Sequence, residues 1–259
     1  MVQPGEFYVG YLKAPPGVAV FLRWAVSGLM AATLAIAWFV SRSQNDPGDA
    51  VWHDDAETLI GRIAAAPYPL IRIWSGQPDQ PVRTVLLVSE GKHGGGERVA
   101  ALDGRMARVR GAILERDTCR LLELAEGDAL KPDRSPSGGD ADRLSAPRIV
   151  ALGQVTLRGE IIDPKCYSGA MKPGEGKTHK ECATLCIAGG IPPMFVTIDD
   201  AGRRSYYLLT DHDGRALTGA ALHDGVLPFV ADAVEIRGAL EKYDDLAVLK
   251  IDPARIRRL

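Results

Sequence analysis

One series of short motifs runs through this chain twice, and no other property restricts its fold as strongly. Thr58-Leu-Ile-Gly61-Arg-Ile63 is matched by Thr156-Leu-Arg-Gly159-Glu-Ile161, and Pro69-Leu-Ile-Arg-Ile73 by Pro193-Met-Phe-Val-Thr-Ile198. Further along, Arg83-Thr-Val-Leu-Leu-Val-Ser-Glu90 pairs with Arg204-Ser-Tyr-Tyr-Leu-Leu-Thr-Asp211, and Val109-Arg-Gly-Ala-Ile113 with Ile236-Arg-Gly-Ala-Leu240. A last apolar run closes each series, Arg120 to Leu124 in one and Ala247 to Ile251 in the other. Four matched blocks in one order imply two copies of a single folding unit.

Each copy consists of short runs with period-two or continuous apolar patterning, broken by Gly, Asp and Pro, which leaves little room for long helices. The expected fold is all-β: two tandem OB-like small β-barrels of five strands each, over residues 45–127 and 149–259. The glycine of the recurring Arg-Gly-Ala is expected to let a strand bend at a barrel corner. Residues 128–148, rich in Asp, Pro, Ser and Gly, read as a solvated linker.

Residues 1–44 form a separate piece. From Trp24 to Val40 there are 17 residues without a charge, and extending back to Val18 gives 23 with Arg23 as the only ionisable group. That is the length a single transmembrane helix needs. Trp24 and Trp38 stand near its ends, where aromatic rings favour the headgroup level. A buried core helix or an uncleaved signal peptide is the alternative, but no Ala-x-Ala cleavage pattern follows directly. Lys13 and Arg23 precede the span, whereas Asp46, Asp49, Asp54 and Asp55 follow Arg42. The positive-inside rule then places the soluble part in the periplasm of a bacterial inner-membrane protein.

The two copies differ in one place. Gly61 and Arg83 are 22 positions apart, whereas Gly159 and Arg204 are 45 apart, so the second copy carries 23 additional residues. They fall within 164–193, which holds three of the chain's four cysteines and a histidine: Cys166, His179, Cys182 and Cys186. The first copy lacks the segment and is expected to contribute nothing to it. Thr178 with Glu181 reads as a capping box opening a short helix to about Ala188, stopped by Gly189-Gly190 and Pro192-Pro193. Offsets of three and seven put His179, Cys182 and Cys186 on one helical face, with Cys166 approaching from the preceding strand.

Three chemistries suit such a set. A Cys₃His metal site has the donor number and softness that zinc favours, and copper(I) would also favour the thiolates. A disulfide from Cys166 to Cys182 or Cys186 is the second, and a reactive thiol activated by His179 the third. Cys-x12-His-x2-Cys-x3-Cys is not a standard finger spacing, and Cys-x-x-Cys-His, the c-type haem signature, is absent. The run Met171-Lys-Pro-Gly-Glu-Gly-Lys-Thr178 is a near miss for a phosphate-binding loop, with Met171 where the first glycine belongs. His93, His212 and His223 lie in turn sequences, Cys119 lies on an expected strand of the first copy, and one of Tyr206 and Tyr207 must point outward.

The run Gly159-Glu-Ile-Ile-Asp163-Pro-Lys-Cys166, followed by His179-Lys-Glu-Cys182-Ala183, Cys186 and Gly189-Gly190, resembles a segment of uncharacterised bacterial exported or membrane-anchored proteins with an OB-like barrel. The resemblance covers about residues 149–259. It implies a barrel and export, and no catalytic role. A net charge of -2 excludes an extended nucleic-acid surface, which needs clustered Lys and Arg. No paired-carboxylate, Ser-His-Asp or nucleotide-pocket pattern is present. The expected role is therefore a non-enzymatic accessory or assembly subunit, partnering the membrane and other subunits of a membrane redox or metal-handling complex. A periplasmic thiol-disulfide oxidoreductase and a disulfide-stapled binding module are the alternatives.

Overall fold

The computed structural model describes residues 14–43, 50–78, 81–133 and 139–259, apart from the side chain of Asp54. The N-terminal tail through Lys13, the acidic pair Asp46 and Asp49, and linker residues 134–138 lie outside the described residues. The chain divides into two compact units, residues 1–46 and 47–259.

The first unit carries one helix, Pro16–Ser43, of 28 residues with none buried. Proline is suited to a helix start because its missing N–H has no partner there anyway. By length and composition the helix can cross a membrane, and a signal sequence would satisfy the same test. In its last turn Arg42 lies over the Trp38 ring, 5.6 Å from the centroid.

The second unit is mostly β. Its first sheet contains β1 (Val51–Ala64), β2 (Leu70–Trp74), β3 (Val82–Val88), β4 (Met106–Arg116), β5 (Cys119–Leu124) and the short β6 (Leu130–Pro132). β1 pairs with β2, β2 with β3, β3 with β5 in parallel, β5 with β4, and β4 with β1, so five strands close into a barrel; β6 extends β4. Alternation explains the strands. Along β4, Val109 is buried, Arg110 exposed and Gly111 buried again, which gives one face to the core. Ile63, Ile71, Val85, Leu87, Val109 and Leu122 meet inside.

The second sheet has β7 (Ile149–Ile162), β8 (Met194–Ile198), β9 (Arg204–Asp211), β10 (Ala233–Tyr243), β11 (Leu246–Ile251) and the two-residue β12 (Arg257–Arg258). Its pairings follow the same order and sense, including a parallel β9–β11 pair and a β7–β10 pair that completes the circuit. The recurring Arg-Gly-Ala glycine has a definite steric reason. A Cβ at Gly111 would lie 2.0 Å from the Glu123 carbonyl oxygen, and one at Gly238 would lie 2.3 Å from that of Lys250. Close strand approach is what the glycine permits at both.

The stretch expected as a solvated linker is more ordered than its composition suggests. Leu130–Pro132 joins the first sheet, Asp140–Arg143 makes a helical turn, and Leu144 is fully buried. Polar composition misled here because one apolar side chain and a few backbone groups suffice to dock a segment.

The two sheets also share a core. Leu70, Leu86, Leu114 and Leu121 of the first pack with Ile162, Met194, Leu208 and Val248 of the second, and with Cys166, Tyr167, Cys186 and Ile191 between β7 and β8. Polar ties cross the same boundary: Tyr206 donates to Asp117 at 2.7 Å, and Leu217 N–H donates to the Tyr68 hydroxyl at 2.9 Å.

One ion pair in the second sheet predicts an acid response. Lys250 Nζ lies 2.8 Å from Glu241 Oε1 across β10 and β11, and this hydrogen bond holds the Glu241 carboxyl below its ordinary range. A lowered folded-state pKa gives stability that is present above the unfolded value and lost as pH falls through the folded one. Glu241→Gln is therefore expected to lower Tm near neutrality and to approach the wild type at low pH, which flattens the acid limb of thermal stability. An unchanged slope of Tm against pH below the ordinary glutamate range would show that the pair carries no such linkage.

Candidate metal centre

The chain leaves β7 at Ile162 and enters a buried turn. Asp163 folds back so that its Oδ1 accepts from Lys165 N–H at 2.9 Å and its Oδ2 from Cys166 N–H at 3.4 Å. Asp side chains commonly close turns this way. The turn points the Cys166 thiol inward and begins a π-helical turn over Cys166–Ala170.

A 3₁₀ turn over Lys177–His179 then leads into the helix Lys180–Ala188. The expected Thr178 cap is not made: His179 occupies the N-cap position, and no side chain caps the helix. The tighter turn is fixed by His179 N–H donating to Gly176 C=O at 2.9 Å, and it carries the imidazole into the interior, where His179 is 5 % exposed. Burial lowers the pKa of His179, favouring the neutral ring that binds metals.

All four expected site residues meet in this region. Their donor atoms fall into two groups that share Cys166, one with Cys166, His179 and Cys182, the other with Asp163, Cys166 and Cys186. Within each group the atoms lie within 4.8 Å of one another. All four cysteines of the chain are free, and the Cys166 and Cys182 sulfurs are 4.0 Å apart, about twice the length of a disulfide bond. The Cys166 thiol is pushed up by its hydrogen bond to Cys186, with burial and the nearby Asp163 acting in the same direction. The same bond holds Cys186 below the ordinary thiol value.

The first sheet does contribute, contrary to the expectation from the insertion. Its loop after β3 brings Lys92 to the thiols, with Nζ 2.8 Å from Cys182 Sγ and 3.6 Å from Cys186 Sγ. The sulfur contact raises the Lys92 pKa, so the ammonium stays charged beside it. In the opposite direction Lys165 reaches the first sheet, donating to Ser89 C=O at 2.9 Å and Gly91 C=O at 2.6 Å and pairing with Glu123. Arg116 at the end of β4 lies over the Tyr167 ring, 4.1 Å from its centroid. The Cys/His segment is thus held from both sheets.

Two participants were missed by sequence reasoning, Asp163 and Lys92. Asp163 had a local signal, since an Asp three residues before a cysteine can turn its carboxylate back onto that residue. Lys92 had none, because 90 positions separate it from Cys182. His93 is exposed, and neither His212 nor His223 belongs to either donor group. Cys119 lies apart, buried 3.8 Å from Met194 Sδ with Ser168 Oγ at 3.4 Å, and burial pushes its thiol up to about 12. Tyr206 is buried, and Tyr207 is half-buried against Phe195.

The donors suit a metal ion. Thiolates and imidazole favour zinc or copper, a carboxylate adds a harder ligand, and three protein donors to an ion would leave a coordination position open. Buried polar atoms normally have partners, yet His179 Nε2 is buried without one. Comparison with protein-family models, with curated proteins and with solved structures finds no match to this chain.

Proposed function

We propose that this protein is a membrane-anchored, periplasm-facing accessory or assembly subunit of a membrane redox or metal-handling system, and that its Cys/His segment binds metal. The convergence of Cys166, His179, Cys182 and Cys186 around a partnerless imidazole nitrogen carries the reading. On this view the Pro16–Ser43 helix is the anchor in a bacterial inner membrane. Residues 45–127 and 149–259 are two copies of an OB-like barrel, a second closed barrel being supported by the matching circuit of strand pairings. The resemblance to exported bacterial proteins is consistent with that placement. A soluble part held near the membrane and offering soft donors suits handing a metal to neighbouring subunits, or keeping one for them.

The test is metal content. The full chain, purified in detergent under anaerobic reducing conditions, is expected to bind zinc or copper(I) tightly. Cys166→Ser is expected to weaken that binding by more than the roughly 10–100-fold typical of losing an outer-sphere partner. A chain that takes up neither metal, with Cys166 and Cys182 oxidised to a disulfide on exposure to oxidant, would instead favour the thiol-disulfide reading, which the 4.0 Å sulfur separation supports.

A further inference from the structure

We propose that the site holds two metal ions rather than one, bridged by the Cys166 thiolate. His179 and Cys182 complete the protein ligands of the first ion, and Asp163 and Cys186 those of the second. The proposal rests on the metal-binding reading above and adds a second position to it.

Geometry gives the first argument. Donors to one tetrahedral ion at about 2.0–2.3 Å sit about 3.3–3.8 Å apart, so a shared ion needs its ligands in one tight group. Here they form two tight groups, with Cys186 outside the first and His179 outside the second. Cys166 is the member common to both. A thiolate sulfur has lone pairs for two metals, so the shared residue is the one whose chemistry permits bridging.

Charge gives the second. Asp163 is fully buried, and among the described residues no Lys or Arg pairs with its carboxylate, which accepts from the Lys165 and Cys166 N–H groups and is hydrogen-bonded by the Cys166 and Cys186 thiols. The buried Lys165 nearby is already committed to Glu123. With Cys186 ionised as well as Cys166 and Cys182, one divalent ion amid the three thiolates and this carboxylate would leave a net charge of about -2, with Lys92 alone to offset it. Buried charge without compensation is costly. A second divalent ion at Asp163, Cys166 and Cys186 removes the excess.

Zinc stoichiometry decides it. Native mass spectrometry of the reduced full chain in detergent, saturated with Zn²⁺, is expected to show two ions per chain. X-ray absorption at the zinc edge is expected to show a metal–metal vector of about 3.5–4 Å, the spacing of two-metal sites. Asp163→Asn, which keeps the shape of the turn, and Cys186→Ser should each lose one ion and keep the other. His179→Ala should do the same through the other position. One zinc per wild-type chain, no metal–metal vector, or two ions retained by Asp163→Asn would each overturn the proposal while leaving metal binding intact. No zinc at all would remove both.

Discussion

Replacing Arg72 with leucine is expected to cost about 3–5 kcal/mol of unfolding free energy, the range for removing one member of a buried ion pair. The guanidinium lies on β2, and its Nε donates to Asp244 Oδ2 at 2.8 Å in the β10–β11 turn of the other sheet. Nη1 donates to Leu144 C=O at 2.8 Å and Nη2 to Ala146 C=O at 2.9 Å. Both charged side chains are below 10 % exposed. Leucine fills comparable space but leaves Asp244 in the interior with Arg148 N–H, at 2.9 Å, as its remaining donor among the described residues. Two carbonyls also lose their partners. Urea unfolding of the full chain in detergent measures the loss. Arg72→Leu combined with Asp244→Asn should recover part of it, because the uncompensated charge is then gone and asparagine tolerates the left-handed backbone of position 244 (φ 54°). A single-variant loss below about 1 kcal/mol would mean that this pair is solvated and does not tie the sheets together.

Gly94→Ala should have the second large effect, and it reaches the candidate metal centre from the far sheet. A Cβ at Gly94 would lie 2.1 Å from the Gly190 carbonyl oxygen, and one at Gly189 would lie 1.9 Å from that of Lys92. The opposing atoms are backbone, so no rotamer change relieves the overlap. The loop is also fixed there by Gly94 N–H donating to Gly189 C=O at 3.0 Å. Alanine must push the loop off the C-terminal end of the Lys180–Ala188 helix and draw Lys92 away from Cys182. Stability should fall by about 1–3 kcal/mol, as for other overpacked sites. Metal affinity should fall by about 10–100-fold, as when an outer-sphere partner is lost. Lys92→Met isolates the second effect, since it removes the ammonium without touching the backbone. If Gly94→Ala matches the wild type in both stability and affinity, the loop does not pack on the helix as described.

The strands were legible because they obey a local rule. Met106–Arg116 alternates inward and outward residues, and Met194–Ile198 stands bounded by prolines and Asp199-Asp200. The Cys/His segment was legible from rarity: three of four cysteines lie within a span of 21 residues. The exact helix start was not, because the Thr178-x-x-Glu181 pattern is a local preference, whereas the pull of His179 into the interior depends on the surrounding fold. The role of residues 139–148 was hidden for a similar reason. Their order comes from the buried Leu144 and from Arg62 and Arg72, which hold their carbonyls and which no reading of their own composition contains. Lys92 is the clearest case. A lysine in a glycine-rich loop reads as solvated surface, and only the folded chain brings it beside a sulfur.

The core shared by the two sheets bears on whether either could exist alone. Cutting the chain between them would uncover Leu70, Leu86, Leu114 and Leu121 on one piece and Ile162, Met194, Leu208 and Val248 on the other. Each piece would carry a sticky apolar face that water does not tolerate. The halves are therefore obligate companions, and a gene fragment encoding one of them should yield insoluble material unless its counterpart is supplied in the same cell.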